Sequence, residues 1–323
     1  MTVISGGRLL AERKITFLKG QAYAVADRLS SLHRSKLGLP VGKISSAAPA
    51  YEGRSHILVF DRSKRVKKIA VLGQGEWLNK VPEVALSFWI IKIMSTTVGE
   101  TGADYLAVNA GLGQGVTGSV MAGVLAVALL IQLRTCRYTP WIYWLTVVLV
   151  SVVGTQITDF LTDSMGVSLY ISSAVFAAAL VAIFAIWYRV EGTLSINDIN
   201  TRTRELFYWG AVLCTFALGT AAGDLATEAL GLGFGWGVIA FGGLIGLTYA
   251  AWHVGTNAVL TFWIAYILTR PFGAALGDLL TQAKTYGGLG IGAMWTSALF
   301  LSVIFILVAI AQFGASRSVN AAK

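Results

Sequence analysis

Beyond residue 80 the chain alternates between long apolar stretches and short polar or glycine-rich breaks. The apolar stretches run over 82–108, 115–134, 140–163, 168–188, 206–229, 235–254, 257–282 and 290–313. A helix needs about 20 residues to cross the hydrocarbon of a bilayer, and each stretch comes near that length. The pattern therefore predicts an all-α polytopic membrane protein with eight transmembrane helices. Pro82 and Pro140 fall at the start of the first and third stretches, where a missing amide hydrogen costs little. The longest break, 189–205, carries Asn, Asp, Arg and Thr and belongs in water.

The polar positions inside the apolar stretches are periodic. An aromatic residue and a tryptophan are followed by a glycine and then an aspartate, as Phe88-Trp89…Gly99…Asp104, Tyr143-Trp144…Gly154…Asp159, Tyr208-Trp209…Gly219…Asp224 and Phe262-Trp263…Gly273…Asp278. Glycine at one offset from four aspartates would arise by chance about once in several thousand, so this is an internal repeat. On a straight helix the tryptophan and aspartate of one copy lie roughly 22 Å apart and on one face. A glycine turn follows each aspartate: Gly111-Leu112-Gly113, Gly166-Val167-Ser168, Gly231-Leu232-Gly233 and, displaced by an insertion holding Lys284, Gly288-Leu289-Gly290. Each repeat reads as a helical hairpin, with repeats over 81–138, 139–204, 205–256 and 257–314. Two spans per copy give all four the same polarity, so they are parallel repeats about an axis along the membrane normal.

Composition agrees with a membrane protein, with 55% hydrophobic and 13% charged residues. The net charge of +9 belongs to the first 80 residues, a basic extension expected to be flexible, because the rest of the chain is close to neutral. That extension has no continuous apolar run, so no cleavable signal peptide is expected, and its run Arg62–Lys68 suits anionic headgroups or a solvated arm. Arg134, Arg137, Arg189, Arg202, Arg204, Arg317 and Lys323 fall on the side of the N-terminus, against Lys284 on the other. The positive-inside rule then puts both termini in the cytoplasm, including a short tail over 315–323. Two cysteines and three scattered histidines make no zinc motif, no cofactor or nucleic-acid partner is indicated, and no nucleophile–base arrangement points to an enzyme.

The candidate chemistry lies in the acids. Ionisable groups inside a bilayer are costly and commonly functional. Asp104, Asp159, Asp224 and Asp278, with Glu100 one turn inward of Asp104, are the candidate ligands or proton carriers. Thr97, Thr155 and Thr220 would supply auxiliary oxygens and Arg270, beside the helix-breaking Pro271, a balancing charge. Oxygen-rich clusters suit a hard cation or a proton. Against this stands a plainer reading, in which the acids hydrate at headgroups or anchor helix ends. In the same plain reading the tryptophans form an interfacial belt and Lys92 snorkels to the cytoplasmic edge.

Residues 80–84, 88–93, 95–101, 219–224 and 268–273, spanning the Phe-Trp, Gly-Glu-Thr, Gly-Asp and Thr-Arg-Pro-Phe-Gly elements, resemble a group of bacterial integral membrane proteins built from four copies of a repeat of unknown function. The resemblance covers roughly 80–313 and implies the bacterial inner membrane as location, without implying a reaction. The long basic N-terminus departs from that group's pattern. The residues themselves favour a cation transporter, with a divalent metal and proton coupling among the expected options. The alternative is a structural or regulatory membrane protein, and the expected partners are the lipid bilayer and a small cation.

Overall fold

The computed structural model describes residues 57–59, 67–69 and 79–321. The chain divides into two compact units, Met1–Val71 and Leu72–Lys323. In the first, strands β1 (Ile57–Val59) and β2 (Lys67–Ile69) pair antiparallel with Ile57 opposite Ile69. The all-α expectation therefore applies to the second unit alone. Lys67 and Lys68 of the polybasic run lie on β2, whereas Arg62–Val66 and the expected flexibility of the extension fall outside the described residues.

Among its described residues the second unit contains eight long helices: α1 (Leu86–Asp104), α2 (Gln114–Arg134), α3 (Pro140–Asp159), α4 (Leu169–Glu191), α5 (Arg202–Asp224), α6 (Phe234–His253), α7 (Ala258–Thr281) and α8 (Ala293–Ala321). Seven of them are long and apolar enough to cross a membrane. The exception is α1, which carries Lys92, Glu100, Asp104 and several hydroxyl residues. Helix α8 runs on to Ala321, so the expected tail over 315–323 is helical for most of its length. After each of the first three aspartates the helix widens into a π-helical turn, Tyr105–Asn109, Phe160–Ser164 and Leu225–Ala229. The glycine turns then reverse the chain, with Gly111 and Gly113 at φ of 70° and 74°. The fourth repeat instead has a 3₁₀ turn, Lys284–Tyr286, at the place of its insertion.

Helices α1, α3, α5 and α7 pack on one another in a closed ring, α1 against α3, α3 against α5, α5 against α7 and α7 against α1. The outer helices differ from the expected hairpins. Each packs on the inner helix of the following repeat: α2 on α3, α4 on α5, α6 on α7 and, closing the circle, α8 on α1. The two helices of one repeat diverge from their turn, so a repeat reads as a hairpin in sequence and as a clasp between neighbours in space. Along the outer helices large apolar side chains such as Val120, Val127, Val181, Ile239, Leu247 and Phe305 are exposed, as suits surface facing acyl chains.

Two interlocks hold the ring, and both use the repeat motif. The aromatic before each tryptophan packs on the next repeat's tryptophan: Phe88 on Trp144, Tyr143 on Trp209, Tyr208 on Trp263 and Phe262 on Trp89, at centroid distances of 5.5, 5.5, 6.2 and 5.7 Å. Trp144, Trp209 and Trp263 are buried, which corrects the expectation of an interfacial belt. Trp144 donates to the Tyr138 hydroxyl at 3.1 Å. Burial in the loop before α3 pushes that hydroxyl up to about 12, against the opposing pull of the Trp144 bond, and keeps it protonated. The second interlock is at the motif glycines. A Cβ on Gly99 would strike Ser151, on Gly154 it would strike Phe216, on Gly219 Arg270, and on Gly273 Thr96. Each glycine makes room for the residue three positions before the next repeat's glycine. The absent side chain allows the inner helices to approach closely.

The segment leading into α1 is part of this body. The Lys80 ammonium pairs with the Glu205 carboxylate, both buried, and also donates to the Leu133 carbonyl at 3.3 Å. Gln132 donates to Glu205 at 3.3 Å, the Lys80 amide to the Ile199 carbonyl at 3.1 Å, and the Tyr138 amide to the Asn79 carbonyl at 3.2 Å. The expectation of a flexible extension over the first 80 residues does not hold at its end, where Asn79 and Lys80 are bonded into the helical body.

Candidate functional site

Counting back from each aspartate in steps of four gives a stripe along each inner helix: Phe88, Lys92, Thr96, Glu100, Asp104 on α1; Tyr143, Val147, Ser151, Thr155, Asp159 on α3; Tyr208, Val212, Phe216, Thr220, Asp224 on α5; Phe262, Tyr266, Arg270, Ala274, Asp278 on α7. Residues four apart are neighbours on one helix face, roughly 6 Å apart along it. Every stripe residue between the aromatic and the aspartate is buried. The ring is thus filled by layers, aromatic at the tryptophan end and acidic at the other.

Arg270 holds the middle. It is 0% exposed, and its guanidinium reaches across the ring. One nitrogen donates to Glu100 at 2.8 Å, to the Thr220 hydroxyl at 2.6 Å and to the Thr155 hydroxyl; another donates to the Thr96 carbonyl at 3.1 Å. Glu100, Thr155 and Thr220 are the residues just after the motif glycines of the first three repeats, and the fourth has Ala274 there. The small residue leaves the space that the arginine's head occupies. A buried Arg–carboxylate pair holds two charges away from water together, whereas either partner alone would be costly; the Arg270 Nε remains without a hydrogen-bond partner among the described residues. Thr155 donates in turn to Glu100 at 3.4 Å.

Above this layer, Glu100, Asp104 and Asp278 can each offer an oxygen within 4.8 Å of the others. Glu100 and Asp278 are both 6% exposed and Asp104 is half-buried. Among the described residues this is the group whose spacing fits a metal ion, and its all-oxygen donors suit a hard cation. Asp159 and Asp224, half-buried at the same level of α3 and α5, do not join that group but interact electrostatically with it. Asp159 couples to Glu100 and Asp104, and Asp224 to Glu100, Asp278 and Asp159. Four repeats therefore direct acids to one end of the axis. Of the auxiliary residues expected from the sequence, Thr155 and Thr220 meet at Arg270. Thr97 does not; its hydroxyl donates to the Ile93 carbonyl of its own helix at 3.3 Å and its methyl lies towards Gly277. The residue of that run in the stripe is Thr96, which the spacing of four from Asp104 would have selected.

Below Arg270 lies a feature that sequence reading placed wrongly. Lys92 does not reach an edge but is 1% exposed, with its ammonium 4.1 Å from the ring of Phe216 and 4.3 Å from that of Tyr266. Phe216 belongs to α5, the helix opposite α1 in the ring, so Lys92 crosses the axis. The next layer brings the Tyr143 and Tyr208 hydroxyls to 2.5 Å of each other.

Set beside known proteins, the chain matches a family model described as Repeat of Unknown Function (DUF347) four times, over residues 87–138, 142–193, 207–256 and 261–317, well over half its length. The chain belongs to this repeat family. Each DUF347 match begins within a residue or two of a motif aromatic or tryptophan and contains one inner and one outer helix. The DUF347 unit is therefore the unit that supplies one wall of the ring and one clasp. No curated protein and no solved structure matches the chain.

Proposed function

We propose that the protein is a membrane transporter for a small cation, bound where the acidic ends of the four repeats converge. The observation that carries this reading is the axial cluster of Glu100, Asp104 and Asp278, with Asp159 and Asp224 beside it, on helices whose outer faces are apolar. A charge at the middle of a bilayer costs about 2.5–3.5 kcal/mol on insertion scales, and five acids at one end of a helix ring need a compensating cation or proton. In this reading α1 is the eighth span, its polar residues shielded inside the ring. Both termini lie in the cytoplasm of a bacterium, and the protein resides in the inner membrane. Arg270 balances Glu100 and separates the acidic end from the aromatic end.

The closed contact of Arg270 with three repeats favours a second reading, a structural or regulatory membrane protein whose axis never opens. Flux separates the two. In proteoliposomes assayed with a panel of mono- and divalent cations, Asp104→Asn and Asp224→Asn are expected to cut uptake at least tenfold, with thermal stability in detergent little changed. Under the second reading stability falls first and no cation flux is present to lose. A fully active variant with all four aspartates changed to asparagine would reject the site.

A further inference from the structure

We infer that the groove between α2 and α3 binds a neutral single-chain glycerolipid, a monoacylglycerol, through the side-chain amide of Gln156. The inference is independent of the cation reading, since it concerns a lipid-facing seam and not the axis. The groove has a volume of about 430 Å³, with Gly115, Gly118, Ser119 and Ala122 of α2 on one side and Val153, Gln156 and Ile157 of α3 on the other. Gln156 is 2% exposed, and neither its amide nitrogen nor its amide oxygen has a hydrogen-bond partner among the described residues. The amide at the mouth of the groove differs: Gln114 donates to Asp163 at 2.8 Å and accepts from Ser164 at 2.7 Å.

Packing of the seam does not require this amide. Two residues beyond the motif glycine, where Gln156 stands, the other repeats have Thr101, Ala221 and Ala275. Between α8 and α1 the Thr101 hydroxyl meets that of Ser297 at 2.6 Å, so the polar group there is satisfied across the seam. The residue of α2 that corresponds to Ser297 is Gly118: it follows Thr117, whose amide bonds back to Gly113 as that of Thr296 bonds back to Gly292. Gly118 offers space in place of a hydroxyl, and a Cβ there would lie 3.7 Å from that of Gln156. Ser119 beside it gives its hydroxyl to the Gly115 carbonyl of its own helix. An unpartnered buried amide costs stability, and such costs persist where function uses them.

The amide itself specifies its complement. It presents donor and acceptor side by side, so its partner carries a hydroxyl next to a carbonyl oxygen. Helix α2 exposes Val116, Val120 and Val124, and an occupant of the groove therefore arrives from the acyl chains. A monoacylglycerol meets both terms: its ester carbonyl accepts from the Gln156 nitrogen and the adjacent glycerol hydroxyl donates to the Gln156 oxygen. Its chain follows the small residues from Gly115 to Ala122, a strip along one helix about 10 Å long. A two-chain phospholipid has no hydroxyl beside its esters. A fatty-acid carboxylate brings no donor and would meet Asp159, three residues beyond Gln156, and Asp163 at the mouth.

The test uses the full chain in nanodiscs of two-chain phosphatidylcholine containing 1-monooleoylglycerol with a photoactivatable diazirine in its chain. Crosslinks are expected on residues 114–122 and 153–161 of the wild-type protein. Excess 1-monooleoylglycerol is expected to reduce them at least tenfold, whereas methyl oleate and oleate should change them less than twofold. Gln156→Leu, close to glutamine in shape, and Ala122→Phe, which fills the groove from an exposed position, are each expected to cut this labelling at least tenfold. Gln156→Leu should melt at or above the wild-type temperature, because it removes an unpartnered amide. Labelling of Gln156→Leu within twofold of wild type would overturn the inference. Equal labelling of the α4–α5, α6–α7 and α8–α1 seams, or competition by methyl oleate as strong as by the hydroxy ester, would also overturn it.

Discussion

At the scale of single residues the motif glycine carries the most information. It marks where a neighbouring repeat's side chain is inserted, and at Gly219 that side chain is Arg270. Gly219→Ala would force Arg270 off its four partners, since the added methyl overlaps the arginine stem. The expected result is a loss of roughly 1–3 kcal/mol of stability from overpacking, together with loss of any transport activity. Gly102→Ala, on a helix position with open space around it, is the matched control and should be neutral or mildly stabilising. A melting curve in detergent decides between them, and equal melting of the two variants would show that the interlock is slack. The glycine and aspartate positions were legible in the sequence because they recur. Lys92 and Thr96 were not, because their counterparts share no side-chain type, being Val147, Val212 and Tyr266 at the first position and Ser151, Phe216 and Arg270 at the second. Thr97, two residues before Gly99, looked as good as Thr96 until the ring fixed which face of α1 is inside.

At the scale of elements, the eight apolar stretches match the helices to within about five residues except at the end of α8, which runs on to Ala321, since hydrophobic length is a strong signal for a helix in lipid. Partner choice was not legible. Nothing in the pattern of α2 says that it packs on α3 rather than α1, because its apolar residues run all round the helix and single out no partner. The leader of α1 was misjudged for a related reason, as a lone lysine and a glutamate 125 residues away carry no sequence sign of pairing. Deleting residues 2–78 is expected to leave membrane insertion and melting temperature unchanged, since among the described residues the bonded leader starts at Asn79. Lys80→Ala, by contrast, strands the buried Glu205 carboxylate and should cost about 3–5 kcal/mol. Size-exclusion profiles and melting curves of the two variants test this pair. A destabilised deletion with an intact Lys80→Ala variant would invert the assignment.

At the scale of the whole molecule, an even number of long helices among the described residues places the loops before α3, α5 and α7 at the tryptophan end and the glycine turns at the aspartate end. Cytoplasmic and external reporters fused after Gly192 and after Thr285 are expected to give opposite readings, cytoplasmic at the first and external at the second. Matching readings would remove α1 or another helix from the list of spans. The same parity brings the start of α1 and the end of α8 to one side, where α8 clasps α1 as every outer helix clasps its successor. In such a loop of four links, the seam between the last repeat and the first is closed by the same packing as the other three, but without the chain connection that also joins those. Every wall of the ring, the first and the last included, is therefore flanked by two others.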